Sequence, residues 1–272
     1  MGVTDWAVVT GASSGIGAAY AKELAQRGLS VVITGRRKEK LDAVKREIEE
    51  EHGVDVRAVL GDLAVEQDLH ALVEQVRELK PLWLVNNAGF GSGGAFPDLD
   101  LEVHLSMLKV HAEATVRLTH AVLPSMIERQ KGTIVNVSSV LGIMRSIGSP
   151  LYGGTKAFLT SFSTGLARDL FGTGVRVHAL CPGLTRSDFH SRPQLKNYRP
   201  GRRLPILWKT SEEVVRRSLN AVDRGKVVFV PALIDRVIVW LAGSRLAIPA
   251  FRYVDRKRRA LKLGAKQLQG SK

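Results

Sequence analysis

Tyr152 and Lys156 stand four residues apart in a stretch with helical periodicity at 151–171, so their side chains share one helix face. A tyrosine is a poor base at its ordinary pKa of about 10. An ammonium beside it stabilises the phenolate and brings proton exchange closer to neutral pH. By itself, Tyr-x-x-x-Lys fits two surface residues equally well. Its weight comes from what surrounds it.

A second constellation works through backbone. Thr10-Gly11-Ala12-Ser13-Ser14-Gly15-Ile16-Gly17 lies between a β-branched run at 6–10 and a helical pattern at 16–27. Residues without Cβ let the main chain approach a pyrophosphate. The helix that follows offers free N–H groups and a partial positive charge to phosphates. Ser13 and Ser14 add hydroxyl donors. The competing reading is an ordinary tight turn, and the strand before and helix after favour a dinucleotide. The next strand ends Thr34-Gly35-Arg36-Arg37. An acidic residue there would bind a ribose diol and select NAD. Arg36 instead offers a planar, permanently charged fork to a 2′-phosphate, and Arg37 assists it or stacks on adenine. The expected cofactor is therefore NADP(H). With Lys38 and Lys40 following, the two arginines also fit the start of a charged helix face.

These groups need a scaffold to bring them together. Short apolar runs at 6–10, 29–34, 54–60, 82–85, 133–137, 175–180 and 227–230 alternate with helical patterns at 16–27, 38–51, 65–79, 101–128, 151–171 and 211–223. Leu41, Val44 and Ile48 share one face of the second helix, and Gly28 and Gly53 stand where helices end. Alternating βα units with buried strands predict an α/β fold: a single-domain, Rossmann-like, doubly wound parallel sheet with helices on both faces. The stretch 182–210 is long, basic and proline-containing, and reads as a loop or a pair of short helices.

With Asn86-Asn87-Ala88-Gly89 after the fourth strand and Tyr152-x-x-x-Lys156 downstream, the Gly-x-x-x-Gly-x-Gly turn resembles the short-chain dehydrogenase/reductase family over about residues 5 to 230. The resemblance implies an NADP(H)-dependent enzyme that interconverts a ketone or aldehyde with an alcohol. It implies that Gly11, Ser13, Ser14, Gly15, Ile16 and Gly17 form the phosphate turn, and that Asn87, Ala88 and Gly89 also contact cofactor. Asp62, with Leu63, matches the contact to the adenine amino group, although Asp62 also fits an N-cap for the next helix. Ser139, thirteen residues before Tyr152, matches the serine that hydrogen-bonds the substrate oxygen. Turn chemistry at a strand end is its other reading. Tyr152 is then the proton donor to the carbonyl oxygen, and Lys156 also holds the nicotinamide ribose. Pro182, Gly183 and Leu184 match the segment beside the nicotinamide, and Ser187 stands where the family has threonine near the phosphates.

One position departs from the family. Its Val-Asn pair is Val110-His111 here, ahead of Leu118-Thr119 and Leu123-Pro124-Ser125-Met126, and no asparagine lies between Asn87 and Asn136. In the family that asparagine anchors a water in a proton path from the lysine to solvent. His111 is able to bind a water and exchange protons near neutral pH, or simply to pack inside a helix. Gly153 and Gly154 are a smaller oddity, since a helical glycine costs about 1 kcal/mol against alanine. Close approach of a cofactor or a partner backbone is one compensation.

The 272 residues fit one domain: a dinucleotide-binding oxidoreductase unit at 1–250, with its variable substrate loop at about 184–210, and a basic tail at 251–272. The net charge is +14, from 40 basic and 26 acidic residues, and the tail alone holds half of it. The stretch 232–253 is apolar and aromatic, and Arg256-Lys257-Arg258-Arg259 follows. An apolar helix with a basic cluster suits peripheral contact with an anionic membrane; a helix over the substrate cleft with a solvated tail is the alternative. No reading motif accompanies the basic run, so nucleic acid is not an expected partner. The segment 188–209 mixes Arg192 and Arg199 with Phe189, Tyr198 and Trp208, which suggests a hydrophobic or lipid-like carbonyl substrate. The resemblance implies pairing of the long helices at 101–128 and 151–171 into a homodimer or homotetramer. Cys181 is the only cysteine, so an intramolecular disulfide is excluded; with no Cys/His cluster at zinc spacing, no metal site is expected. Neither a signal peptide nor an uncharged apolar run of spanning length is visible, so the expected location is cytoplasmic, with possible membrane association through the C-terminal segment. The rival function is a non-catalytic NADPH-binding sensor or a membrane-surface scaffold.

Overall fold

The computed structural model describes residues 5–92, 95–144, 150–189 and 208–243. In chain order it runs β1 (Trp6–Thr10), α1 (Gly15–Gln26), β2 (Ser30–Gly35), α2 (Lys38–His52), β3 (Val56–Leu60), α3 (Glu66–Leu79), β4 (Trp83–Asn86), α4 (Leu101–Leu108) and α5 (Ala114–Glu128). It continues with β5 (Gly132–Val137), α6 (Val140–Ile143), α7 (Pro150–Asp169), β6 (Val175–Leu180), β7 (Thr185–Arg186), β8 (Lys209–Thr210), α8 (Ser211–Asp223), β9 (Val228–Phe229) and α9 (Leu233–Gly243). Seven strands form one parallel sheet in the order β3-β2-β1-β4-β5-β6-β9, and β7 and β8 make a separate short ladder.

Because successive strand residues point to opposite faces, each strand feeds two cores. Ala7, Val9, Val31 and Ile33 pack with Leu24, Leu41, Ile48 and Leu219 from α1, α2 and α8. Val8, Val32, Leu84 and Ile134 pack with Leu69, Leu72, Leu118 and Val122 from α3 and α5. A sheet covered on both faces explains why its strands read as continuous apolar runs. The chain winds outward in opposite directions from β1 and β4, so the crevice at their carboxyl ends is the topological switch point. Both the glycine turn and Asn87 follow those two strand ends.

The doubly wound parallel sheet agrees with the sequence reading. Three local expectations change. The single helix expected at 101–128 is α4 and α5 joined by a π-helical turn, Lys109–Glu113, which carries His111. The wider turn takes in one extra residue per hydrogen-bonded ring, and period-based reading does not see it. Asp62 does not cap α3, because Val65 occupies the cap position. The stretch 182–210 contributes β7 and β8; residues 190–207 and the tail 251–272 lie outside the described residues.

Candidate active site

Positive φ marks the glycine turn at Gly11 (+66°) and Gly15 (+61°), where only glycine is unstrained. A Cβ on Gly11 would sit 2.8 Å from the Ala88 backbone, and one on Gly17 would sit 2.5 Å from the Asn87 amide. These glycines thus admit the β4 end as well as any ligand. Thr10 and Asn87 hold the two segments together. The Thr10 hydroxyl accepts from the backbone N–H groups of Asn87 and Ala88, each at 3.0 Å. The Asn87 side-chain amide donates to the carbonyls of Thr10 (2.9 Å) and Gly11 (3.1 Å). Asn87 therefore positions the turn, and Thr10, which sequence reasoning did not single out, shares that work. Ser14 occupies the N-cap of α1, yet its side chain does not cap the helix.

The basic edge is divided between the two arginines. Arg36 donates to Asp62 at 3.1 Å and is mostly exposed. Arg37 leans over the turn: its Nε and Nη2 donate to Ser13, and Nη2 also reaches Ser14 at 2.7 Å. Its Nη1 donates to Asp188 at 2.9 Å, and Lys40 pairs with the same carboxylate. Lys40 first, then Arg37, holds the Asp188 carboxyl below the usual range. Asp62 accepts from the Ala64 N–H in a local turn, and the Leu63 side chain is buried in the core.

At the other end, Lys156 is buried on α7 and donates from Nζ to the Val137 carbonyl at 2.8 Å. Its Nζ lies 5.7 Å from the centre of the Tyr152 ring. Burial pulls the ammonium pKa down to about 8. Ser139 is nearly buried and accepts from the Leu141 N–H at 3.2 Å, capping α6. The turn role foreseen for it is real, and it leaves the hydroxyl proton to be donated elsewhere. A Cβ on Gly142 would strike the Lys156 backbone at 2.5 Å, so α6 presses directly on the Lys156 turn of α7. Ser138 is structural: its hydroxyl donates to the Lys156 carbonyl at 2.7 Å.

His111 enters this end from the π-turn. Its Nε2 accepts from the Phe90 N–H at 3.0 Å, and Nδ1 lies 2.8 Å from the Thr155 hydroxyl. A Cβ on Gly89 would sit 2.9 Å from His111 Nε2. The rings of Phe90, His111, Tyr152 and Phe189 follow one another at centroid distances of 5.7, 5.9 and 6.0 Å, forming an aromatic wall. Below it, the Pro182 carbonyl accepts from Val140 N–H, and the Leu184 carbonyl accepts from Lys209 N–H. Ser187 lies against Gly15, where an added Cβ would be 2.8 Å from its own. Gly183 faces Asp235 of α9 so closely that any Cβ there would clash at 2.2 Å. Among the described residues no space constraint explains Gly154, and Gly153 approaches only the Leu141 carbonyl at 3.6 Å.

The residues fit a dinucleotide. A glycine cradle with an uncapped helix N-terminus faces a pair of arginines at one end and a buried lysine beside a tyrosine at the other. Among the described residues no group of His, Cys, Asp and Glu is arranged to hold a metal, and no helix is long and apolar enough to cross a membrane.

Comparison with known proteins agrees with this geometry. Residues 5–196 match the family model described as short chain dehydrogenase. The chain is 39% identical over 187 residues to very-long-chain 3-oxoacyl-CoA reductase of Anas platyrhynchos, covering 66% of this chain and 60% of that protein's length. It is 37% identical over 244 residues to hydroxysteroid dehydrogenase-like protein 1 of Gallus gallus, covering 89% of this chain and 72% of the relative. A short-chain dehydrogenase from Sphingobium yanoikuyae, solved in complex with NADPH, superposes with a TM-score of 0.78 at 32% identity, covering 95% of each chain. With most of its described sheet inside the matched region and the Tyr152–Lys156 pair at the switch-point crevice, the chain belongs to the short-chain dehydrogenase/reductase family, a family of nicotinamide-dependent oxidoreductases.

Proposed function

We propose that the protein is an NADP(H)-dependent oxidoreductase that interconverts a carbonyl compound and an alcohol, working mainly as a reductase on a hydrophobic substrate. The observation that carries this reading is the buried Lys156 ammonium, fixed by Val137 and set 5.7 Å from the Tyr152 ring. Bound NADPH supplies the hydride. Ser139 orients the carbonyl oxygen through its hydroxyl proton, Tyr152 passes its phenolic proton to that oxygen, and Lys156 stabilises the phenolate left behind. Arg36 and Arg37 select the 2′-phosphate. The NADPH complex of the Sphingobium yanoikuyae dehydrogenase supports the same cofactor choice. The aromatic wall of Phe90, Tyr152 and Phe189 supports an apolar substrate, as do relatives named for 3-oxoacyl-CoA and hydroxysteroid chemistry.

Two partners follow from the surface. Leu101, Leu105 and Leu108 form an exposed stripe on α4, and Phe158 and Phe162 stack on α7 with Phe158 partly exposed. A second copy of the chain would cover them, as the pairing of these helices in the family implies. On α9, Leu233, Val237 and Trp240 are 71%, 55% and 73% exposed. The sequence beyond it, 244–272, carries nine basic residues and one Asp. An anionic bilayer surface fits that combination best.

The deciding experiment follows NADPH consumption against carbonyl compounds graded by size and polarity, with NADH in parallel. Turnover with NADPH that disappears in Tyr152→Phe while NADPH still binds supports the enzyme. Tight NADPH binding with no turnover across the panel favours the sensor.

A further inference from the structure

We propose that His111 is a positioning residue, locked as the neutral Nδ1–H tautomer, that ties the Gly89–Phe90 segment after β4 to the Tyr152 turn of α7. The proposal rests on the reading of Tyr152 and Lys156 as the reacting pair.

Two independent bonds determine the tautomer. A backbone N–H can only donate, so the 3.0 Å contact from Phe90 requires a lone pair on Nε2. On the other side, the Thr155 hydroxyl gives its own proton to the Tyr152 carbonyl at 2.9 Å. Its oxygen therefore accepts from His111, and the proton lies on Nδ1 at 2.8 Å. The chain of bonds runs from Phe90 through the imidazole and Thr155 to the backbone of Tyr152. The ring is buried, with Phe90 and Tyr152 meeting it edge-on at 69° and 77°. It also presses on Gly89, whose missing Cβ would lie 2.9 Å from Nε2 and 3.5 Å from Lys156 Nζ. The π-turn places the ring here, and such turns recur at functional sites.

This assigns His111 a different task from that of a proton shuttle. In this tautomer both ring nitrogens hold protein groups. A second proton on Nε2 would face the Phe90 N–H donor to donor and put a positive charge beside Lys156. Among the described residues, the ionisable groups set against the ring are Tyr152 and Lys156 of α7, and Lys109 and Glu113 of the π-turn are exposed. Protonation of His111 therefore releases Phe90 while the Nδ1–H bond to Thr155 stays, uncoupling the segment after β4 from the Tyr152 turn, so activity is expected to fall on the acid side.

The test uses the full chain. Nitrogen-15 NMR of histidine-labelled protein, with the His111 signals assigned by their loss in His111→Gln, is expected to show an Nδ1–H imidazole. His111→Gln keeps an acceptor near the position of Nε2 and does not titrate. It is expected to retain kcat within about threefold and to lose the acid limb of the pH profile. His111→Leu is expected to lower kcat at least tenfold, roughly, with NADPH affinity within about threefold, and to speed exchange of the Phe90 amide. An Nε2–H tautomer, an unchanged acid limb in His111→Gln, or wild-type kcat in His111→Leu overturns the proposal. If the leucine variant fails to fold, the tautomer and the glutamine profile decide. The tautomer and the Phe90 exchange can be read even if no substrate is turned over, which separates this proposal's failure from failure of the enzymatic reading.

Discussion

Asp188 and Ser14 share one guanidinium: Arg37 donates to the Asp188 carboxylate at 2.9 Å and to the Ser14 hydroxyl at 2.7 Å. An acidic group thus sits at the mouth of a crevice otherwise built for phosphate. Neutralising it in Asp188→Asn leaves Arg37 and Lys40 available to a phosphate. NADPH is expected to bind roughly three- to fivefold tighter, in line with a partly exposed ion pair, with NADH nearly unchanged. Fluorescence titration with both dinucleotides checks this; equal gains for both would place Asp188 away from the 2′-phosphate.

Arg37 reaches three side chains across the glycine turn, whereas Arg36 reaches Asp62 at the outer edge. Removing a charge-assisted contact to phosphate costs about 1.5–3 kcal/mol, or about ten- to hundredfold in affinity. Arg37→Ala is expected to show that loss for NADPH and little for NADH. Calorimetric titration of each dinucleotide measures the ratio, and a loss equal for both would mean that Arg37 supports the turn without reading the 2′-phosphate.

Most of the sheet was legible because buried parallel strands and amphipathic helices leave periodic traces. Helix α8, Ser211–Asp223, ends where its pattern ends, and Gly53 closes α2 with φ of +65°. The proposed reacting pair was legible because Tyr152 and Lys156 lie one helical turn apart. The Arg37–Asp188 contact joins residues 151 positions apart, and no local pattern encodes it. Thr10 was hidden for the same reason: its partners Asn87 and Ala88 belong to another strand end. His111 stood out as a family substitution, but its role depends on the π-turn, which alters hydrogen-bond register without altering the apolar repeat.

If Lys156 acts as proposed, it is expected to give the reaction an alkaline limit. Its folded pKa is pulled down to about 8 because burial disfavours the charged form. The ammonium is thus present below that pH and is lost as pH rises through it, together with its stabilisation of phenolate. For carbonyl reduction, kcat is expected to decline above about pH 8. A pH profile at saturating NADPH checks this, and a flat profile up to pH 10 would show that Lys156 stays charged or is not needed.

Gly89 and Gly154 make opposite predictions. Alanine at Gly89 drives a methyl group into His111, and overpacking of this kind costs about 1–3 kcal/mol, or roughly 3–10 °C in Tm. Among the described residues alanine at Gly154 meets open space on a helix, and it is expected to stabilise the chain by up to about 1 kcal/mol. Calorimetry on both variants is the check. A lower Tm for Gly154→Ala would show that something beyond the described residues needs that glycine.

If α9 meets a bilayer as proposed, the contact between Asp235 and Gly183 has a kinetic consequence. The one acidic residue of α9 points inward onto the Pro182–Gly183 segment, while the helix turns its apolar side chains outward. On a bilayer, the crevice would then open within a helix diameter of the lipid phase. A lipid ketone would be sampled at its mole fraction in the two-dimensional film, so diluting it with inert phospholipid would slow turnover even at constant bulk concentration.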